Sequence, residues 1–296
     1  MKLLNAAPRL QTAIRLSSSS RIVTSKPKQA YQSLPKCDQG LFHDLNPLSR
    51  QIVRKGWVSP VSGTVVDFVK AEPRDAEMIN QFWVESFVDT NNICNHLGLS
   101  YQDLYGLHKP WTEEMIEKGD IIMGFDQTKF ACLQLMKYHF QPEFEELFAG
   151  ELPGHPNPQY HVKHDYAEDI ASYDLPHNVA RLACFLDDLV RQTGKFLPVE
   201  VKDVCIFEAT CVHPLYQKDR MGSVIIATAV DATLRRNVVH GLGYCVATGT
   251  RKICEKQNWK FLFEARYDDY RENGEPVFFD MKDGATGSHQ FYKKFI

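Results

Sequence analysis

The chain has 296 residues, 44% of them hydrophobic and 24% charged, the composition of an ordinary globular protein that can bury a core without disulfide or metal staples. Its net charge is −3, from 34 basic and 37 acidic residues mixed along the sequence, which excludes the one-sign field of a nucleic-acid or membrane-surface binder. The eight cysteines form no CxxC or CxxxC pair and no apolar run approaches the roughly 20 residues of a membrane span, so no zinc site and no transmembrane helix is expected.

In chain order, residues 1–37 contain no Asp or Glu, carry Lys2, Arg9, Arg15, Arg21, Lys26, Lys28 and Lys36, and include the serine run Ser17–Ser20. That composition predicts a mitochondrial transit segment and a mitochondrial matrix protein; the alternative is a disordered basic tail on a cytoplasmic one. A linker is expected over 38–63 and one domain over 64–296. Thr64–Lys70 alternates like a strand, and Glu72–Val88 has helical spacing, with Met78, Phe82 and Phe87 among its apolar positions. A helix over 112–118 follows, then two strands, 120–125 and 130–138, joined as a hairpin by Asp126, Gln127 and Thr128. Residues 140–177 are polar and rich in Pro, His and acidic residues, and read as a peripheral insert; 178–193 has the apolar pattern of an amphipathic helix ended by Gly194. Beyond it the expected order is strand (205–212), helix (221–236), strand (243–247), helix (250–257) and two strands (259–267 and 276–281).

The strand at 205–212 alternates so that Cys205, Phe207, Ala209 and Cys211 share one face, with Ile206, Glu208, Thr210 and Val212 on the other. His213-Pro214 ends it, because proline has no donor, and the turn Gln217–Gly222 delivers the chain into a helix with Met221, Ile225, Ala229 and Ala232 on one side. The first N–H groups of such a helix face back to the loop and bind anions, pyrophosphate among them.

The run Val212-His-Pro-Leu-Tyr-Gln-x-x-x-x-Gly resembles the cofactor motif of the GNAT acetyltransferase superfamily, whose turn reads Gln/Arg-x-x-Gly-x-Gly/Ala: Gln217 and Gly222 match, and Arg220 stands where that family has its first glycine. Held at positive φ, a non-glycine residue costs about 1 to 2 kcal/mol. A guanidinium reaching a coenzyme A phosphate would offset it. The stretch Tyr244–Trp259 looks like the family's fifth strand and the helix after it, with Glu255-Lys-Gln-Asn-Trp259 in place of its Glu-Lys-Leu-Gly-Phe signature; Asn258 stands for the glycine and Trp259 for the buried aromatic. Tyr267–Phe279 and His289–Phe295 resemble the closing hairpin and tail of the insect-type arylalkylamine N-acetyltransferases. The resemblance covers about 65–296, strongly after Cys205. It implies an α/β protein of the GNAT fold, a central mixed twisted sheet of about seven strands flanked by helices and splayed between its fourth and fifth strands.

What the resemblance implies for chemistry is acetyl transfer from acetyl-CoA to a small amine, arylalkylamines among the candidates, by direct attack in a ternary complex, in a monomer or weak homodimer with no metal. The cofactor site would comprise Cys211, Val212, Gln217, Lys218, Asp219, Arg220, Met221, Gly222 and Ser223. Such a reaction needs a base for the ammonium proton, donors for the thioester oxyanion and an acid for the leaving thiolate. Glu208 is the expected base, with an edge or surface carboxylate as the alternative. Insect-type relatives place their base where this chain has Thr90, which cannot serve; Asp89 is adjacent, as a substitute base or as a solvated helix-end residue. Cys254 corresponds to the family's acidic tyrosine, or is simply packed, and Thr250 either lies near substrate and sulfur or caps a helix. His155, His161 and His164 with Asp165 fit a polar loop better than a metal site. Two other functions stay open: a non-catalytic acyl-CoA-binding protein, for which Thr90, Arg220 and Cys254 speak, and a protein-lysine acetyltransferase. A reporter fused to residues 1–40 is expected to enter mitochondria; a fusion that fractionates with cytosol removes the transit assignment.

Overall fold

The computed structural model describes residues 49–296, preceded by two short strands, β1 (Lys36–Cys37) and β2 (Gly40–Phe42). The rest of the basic N-terminal segment lies outside the described residues.

The main sheet is built from β3 (Ile52–Val58), β4 (Val65–Lys70), β5 (Asp120–Asp126), β6 (Lys129–Phe140), β7 (Asp203–Val212), β8 (His240–Cys245), β9 (Lys260–Arg266) and β12 (Gly287–Lys294), while β10 (Arg271–Glu272) and β11 (Glu275–Pro276) pair only with each other. Across the sheet the order is β3-β4-β5-β6-β7-β8-β12-β9, and the hairpin of β1 and β2 joins it along β6. Every pair is antiparallel except β7 with β8, so the sheet is mixed as expected. One strand is new. β3 occupies the stretch expected as linker, and it pairs with β4 from Ile52 opposite Val69 to Val58 opposite Val65.

Helices cover both faces. On one side lie α1 (Ala76–Thr90), α2 (Asn92–His96), α3 (Tyr101–Lys118), α4 (Phe144–Leu147), α5 (Ala167–Ala171) and α6 (His177–Thr193); on the other lie α7 (Met221–Arg235) and α8 (Thr248–Lys256). α3 begins well before the expected 112 because Ser100 and Asp103 form a capping box, the Ser100 N–H donating to the Asp103 carboxylate at 2.8 Å. The stretch 140–177 is not peripheral. Phe144, Phe148, Tyr166 and Ile170 are at most 2% exposed, and Tyr160 stacks on Phe263 of β9 with ring centres 4.8 Å apart, so its apolar residues wrap α6 into the core. The expected strand at 276–281 is also corrected: only Pro276 belongs to a strand, while Val277, Phe278 and Met281 pack into the cluster around α6. Val277 and Phe278 are buried side by side and Phe279 and Asp280 are both exposed, so burial there does not alternate as a strand's would, and the closing strand is β12.

The register of β7 departs from the alternation seen in the sequence. Against β6, Leu135 faces Ala209 but Met136 faces Phe207, so Glu208 is an extra residue, a β-bulge. The bulge turns the face over. Cys205 and Phe207 pack toward α7, whereas Ala209 and Cys211 pack toward α1, among Ile79, Phe82 and Trp83. The single apolar face expected for Cys205, Phe207, Ala209 and Cys211 therefore does not exist. On its other edge β7 pairs with β8 only from Cys205 to Phe207, opposite Gly241 to Gly243. Beyond Phe207 the two strands part, which is the expected splay.

The outer half of the sheet is tied to α1 by a buried ion pair. Arg50 lies one residue before Gln51, whose carbonyl accepts from Lys70 N, and its guanidinium donates through Nε at 2.9 Å and Nη2 at 2.5 Å to the Asp75 carboxylate; both side chains are 1% exposed. Breaking such a pair strands a buried charge, so Arg50→Met is expected to lower the unfolding free energy by about 3 to 5 kcal/mol in a denaturant titration. Adding Asp75→Asn should recover part of the loss, because the charge is gone while the amide oxygen still accepts from Glu72 N.

Candidate active site at the parting of two strands

Where β7 and β8 separate, a cavity of about 810 Å³ opens. Phe207–Val212 form one wall and Gly243–Ala247 the other; the turn after β7, the first turn of α7 and α8 close one end, and Phe87, Thr90 and Asn91 reach in from the end of α1. From Glu208 onward the β8-facing edge of β7 has no ladder partner among the described residues, which leaves backbone donors and acceptors turned to the cavity.

The turn after β7 is held from three sides. The phenol of Tyr216 donates to Asp126 in the β5–β6 turn at 3.0 Å, and the Gln217 side-chain amide donates to the Val212 carbonyl at 3.3 Å. Asp219, 7% exposed, points away from the cavity: its carboxylate accepts from the Ser62 hydroxyl at 2.6 Å, from Ser62 N at 3.2 Å and from the Ser59 hydroxyl. Asp219 is thus a brace between the turn and the β3–β4 loop, not a cavity-lining residue. Burial works to raise its pKa, but the hydrogen bonds from Ser59 and Ser62 outweigh it and hold the carboxyl below its ordinary value.

Lys218 and Arg220 both adopt the left-handed region, with φ of 66° and 59°. The conformation expected of the missing glycine is therefore present, carried by side chains that strain it. Both line the cavity, joined at its mouth by Lys256 from the end of α8. α7 starts directly after Arg220 with no side-chain cap, so the N–H groups of Met221, Gly222 and Ser223, residues that also line the cavity, make an anion-binding end. Gly222 allows a close approach here, since a β-carbon on it would stand 3.0 Å from Ile253 Cδ1 of α8.

Of the reactive residues expected from the sequence, Glu208, Thr250 and Cys254 are brought together on the cavity, and Cys211 and Val212 also line it. Glu208 is half-buried, at the bulge. Thr250 does not cap a helix, because α8 already begins at Thr248; Asp283 provides that cap, its carboxylate accepting from Thr248 N at 2.9 Å. Asp89 is exposed and is not a lining residue, so it is not brought to the site. Thr90 lines the cavity with its hydroxyl committed to the Ser86 carbonyl at 2.7 Å. Asn258 takes φ of 56° and Trp259 is 5% exposed, its ring edge-on to Phe207 at 5.2 Å, as the matching signature implies. His155, His161 and His164 are all exposed.

Sequence reasoning missed the residues that hold the second wall. Asn92 at the start of α2 donates through one amide nitrogen to the Val246 carbonyl and to Asp283, each at 2.9 Å, and the Tyr267 phenol donates to the same carbonyl at 2.6 Å. These groups fix the strand end that diverges from β7. They come from three separate segments, and no local spacing announces them.

No protein-family model matches the sequence, and no curated protein does. Solved structures match its fold. An agmatine N-acetyltransferase variant in its apo form superposes with a TM-score of 0.58 at 11% identity, over 77% of this chain and 99% of that one. A mosquito arylalkylamine N-acetyltransferase-like protein matches with a TM-score of 0.58 at 13% identity over the same shares. The C-terminal condensation domain of Ebony, in complex with beta-alanyl-dopamine, gives a TM-score of 0.53 at 12% identity, over 77% of this chain and 98% of that one. The fold is that of the GNAT acetyltransferases.

Because Asp219 has a depressed pKa in the folded state, its bracing contribution is complete above the unfolded value of about 3.9 and disappears as pH falls through the lower folded value. Asp219→Asn is therefore expected to lose about 1 to 3 kcal/mol of stability at pH 7 and, in thermal melts, to converge with wild type as the pH falls through the lowered folded-state pKa of Asp219.

Proposed function

We propose that the protein is an N-acyltransferase that moves the acetyl group of acetyl-CoA directly to a small amine within a ternary complex. The observation that carries this is the position of Glu208: the bulged residue of β7 stands on the cavity wall at the point where β7 and β8 part. The helix end at Met221–Ser223, flanked by Lys218, Arg220 and Lys256, suits a pyrophosphate and its charges, and the unpaired edge of β7 suits an extended chain bearing amides.

In this arrangement the amine enters from the side of Phe87, Asn91 and Tyr244. Glu208 takes the ammonium proton, the freed nitrogen attacks the thioester carbon, and N–H groups of the β7 edge receive the developing oxyanion. Collapse of the tetrahedral species breaks the carbon–sulfur bond, and Cys254 Sγ supplies the proton to the leaving thiolate. The similarity in fold to amine acetyltransferases agrees with this chemistry. The second reading is binding without turnover, favoured by the commitment of Thr90 to Ser86 at the position of the relatives' base.

Glu208→Gln separates the two. Thiol release from acetyl-CoA in the presence of a panel of arylalkylamines, polyamines and amino acids is expected to fall by about 10² to 10⁴, with coenzyme A affinity in a calorimetric titration unchanged within about twofold. Wild type that binds acetyl-CoA and turns over no amine in the panel leaves the binding protein as the answer.

A further inference from the structure

Two thiols meet on the cavity wall. Cys245 ends β8 and Cys254 lies in the last turns of α8, and their Sγ atoms are 3.5 Å apart. The residues are 1% and 3% exposed, yet both line the cavity, so a small solute in the cavity reaches the pair while bulk protein thiols do not. A disulfide needs an S–S separation near 2.05 Å, roughly 1.5 Å less than the present gap, a distance that side-chain rotation with a small shift of α8 covers. α8 has room for it: on the β8 side Cys254 Sγ faces Gly243, where even an added β-carbon would stand 3.7 Å away. Cys94, Cys132, Cys184 and Cys205 are buried away from the cavity; Cys211 lines it but packs among Ile79, Phe82 and Trp83.

We propose that Cys245 and Cys254 form an oxidisable dithiol, a modification site in which a hydroperoxide closes the pair to a disulfide and a small thiol reopens it. The proposal rests on the geometry of the pair and not on acetyl transfer. The Cys254 thiolate attacks the peroxide, the O–O bond breaks, and an alcohol leaves once protonated, so that Cys254 becomes a sulfenic acid. Cys245 sulfur then attacks Cys254 sulfur, the S–O bond breaks, and hydroxide departs with the Cys245 proton as water. Two electrons pass from the two sulfurs to the hydroperoxide. The order follows from Cys245: the hydrogen bond with Cys254, followed by burial, holds its thiol well above the ordinary value and makes it the poorer first nucleophile. Reduction runs by thiol exchange through a mixed disulfide.

Closure joins the ends of the segment 246–253, whose Val246, Ala247, Gly249 and Thr250 line the cavity. It also removes the Cys254 proton. The test is mass spectrometry of the full chain, treated under native conditions with hydrogen peroxide, alkylated and digested without reduction. A peptide pair cross-linked through Cys245 and Cys254, appearing before any other thiol is lost and vanishing under dithiothreitol, is the expected result. In Cys245→Ser, dimedone should instead trap a sulfenic acid on Cys254. The proposal is overturned if Cys211 or another thiol oxidises while this pair stays reduced, if the cross-link forms only in denaturant, or if the Cys245→Ser protein, folded by circular dichroism, yields no dimedone adduct on Cys254.

Discussion

The extra residue in β7 is the constraint on which the rest of the structure depends. Up to Phe207 the strand is hydrogen-bonded on both edges, to β6 and to β8; from Glu208 onward it keeps only β6. A bulge bends its strand and increases the local twist, which is what a sheet needs in order to open along one seam without tearing along the next. The same residue reverses the facing of the strand, so that Ala209 and Cys211 fill the core under α1 while Phe207 fills the core under α7. One insertion therefore creates the cavity, places a carboxylate on its wall and reassigns two core positions.

A seam that opens must be held open, and both walls are anchored by groups distant in sequence. α7 is pinned at its start by Asp219 against Ser59 and Ser62, and at its end by Arg236, which donates to Asp120 through Nη2 at 2.9 Å and to the Gly119 carbonyl at 3.0 Å. The opposite wall hangs on the Val246 carbonyl, which accepts from both Asn92 and Tyr267. The strain at Lys218 and Arg220, of order 1 kcal/mol each, is tolerable because the residue between them is fixed by three hydrogen bonds of roughly that worth apiece. Without the brace at Asp219 the turn would have little reason to keep its conformation.

Most elements were legible from periodicity and punctuation, because strands such as β5 and β6 and helices such as α6 and α7 carry their burial pattern locally. The turn before α7 was legible as well, down to the awkward position of Arg220, since backbone requirements there follow from a short motif. The bulge was not. Alternation assumes an unbroken register, and Cys205, Phe207, Ala209 and Cys211 are apolar on whichever face they land, so the reversal left no mark. The strand expected at 276–281 and the peripheral insert failed for a related reason: Val277, Phe278, Tyr166 and Ile170 are buried by tertiary packing on α6, a contact that neither period reports. The alternative for Thr250, a helix cap, could not be settled from the sequence because the actual cap, Asp283, comes from a loop far along the chain.

The low identity to structures of the same fold has a physical reading in this site. The half of the cavity around the start of α7 is made largely of backbone: a parted strand edge, an uncapped helix end and a turn that keeps a left-handed conformation at Arg220 without the motif's glycine. Such features survive almost any exchange of side chains, so a chain at 11% to 13% identity can retain them whole. The half under the end of α1 is the reverse. It is made of side chains, among them Phe87 of α1, Asn91 just after it and Tyr244 of β8. Thr90 shows how local those side chains are, since its hydroxyl turns onto the Ser86 carbonyl and leaves Glu208 at the bulge as the carboxylate on the β7 wall. Backbone geometry thus builds one half of this cavity, and the small set of side chains around the parted strands builds the other.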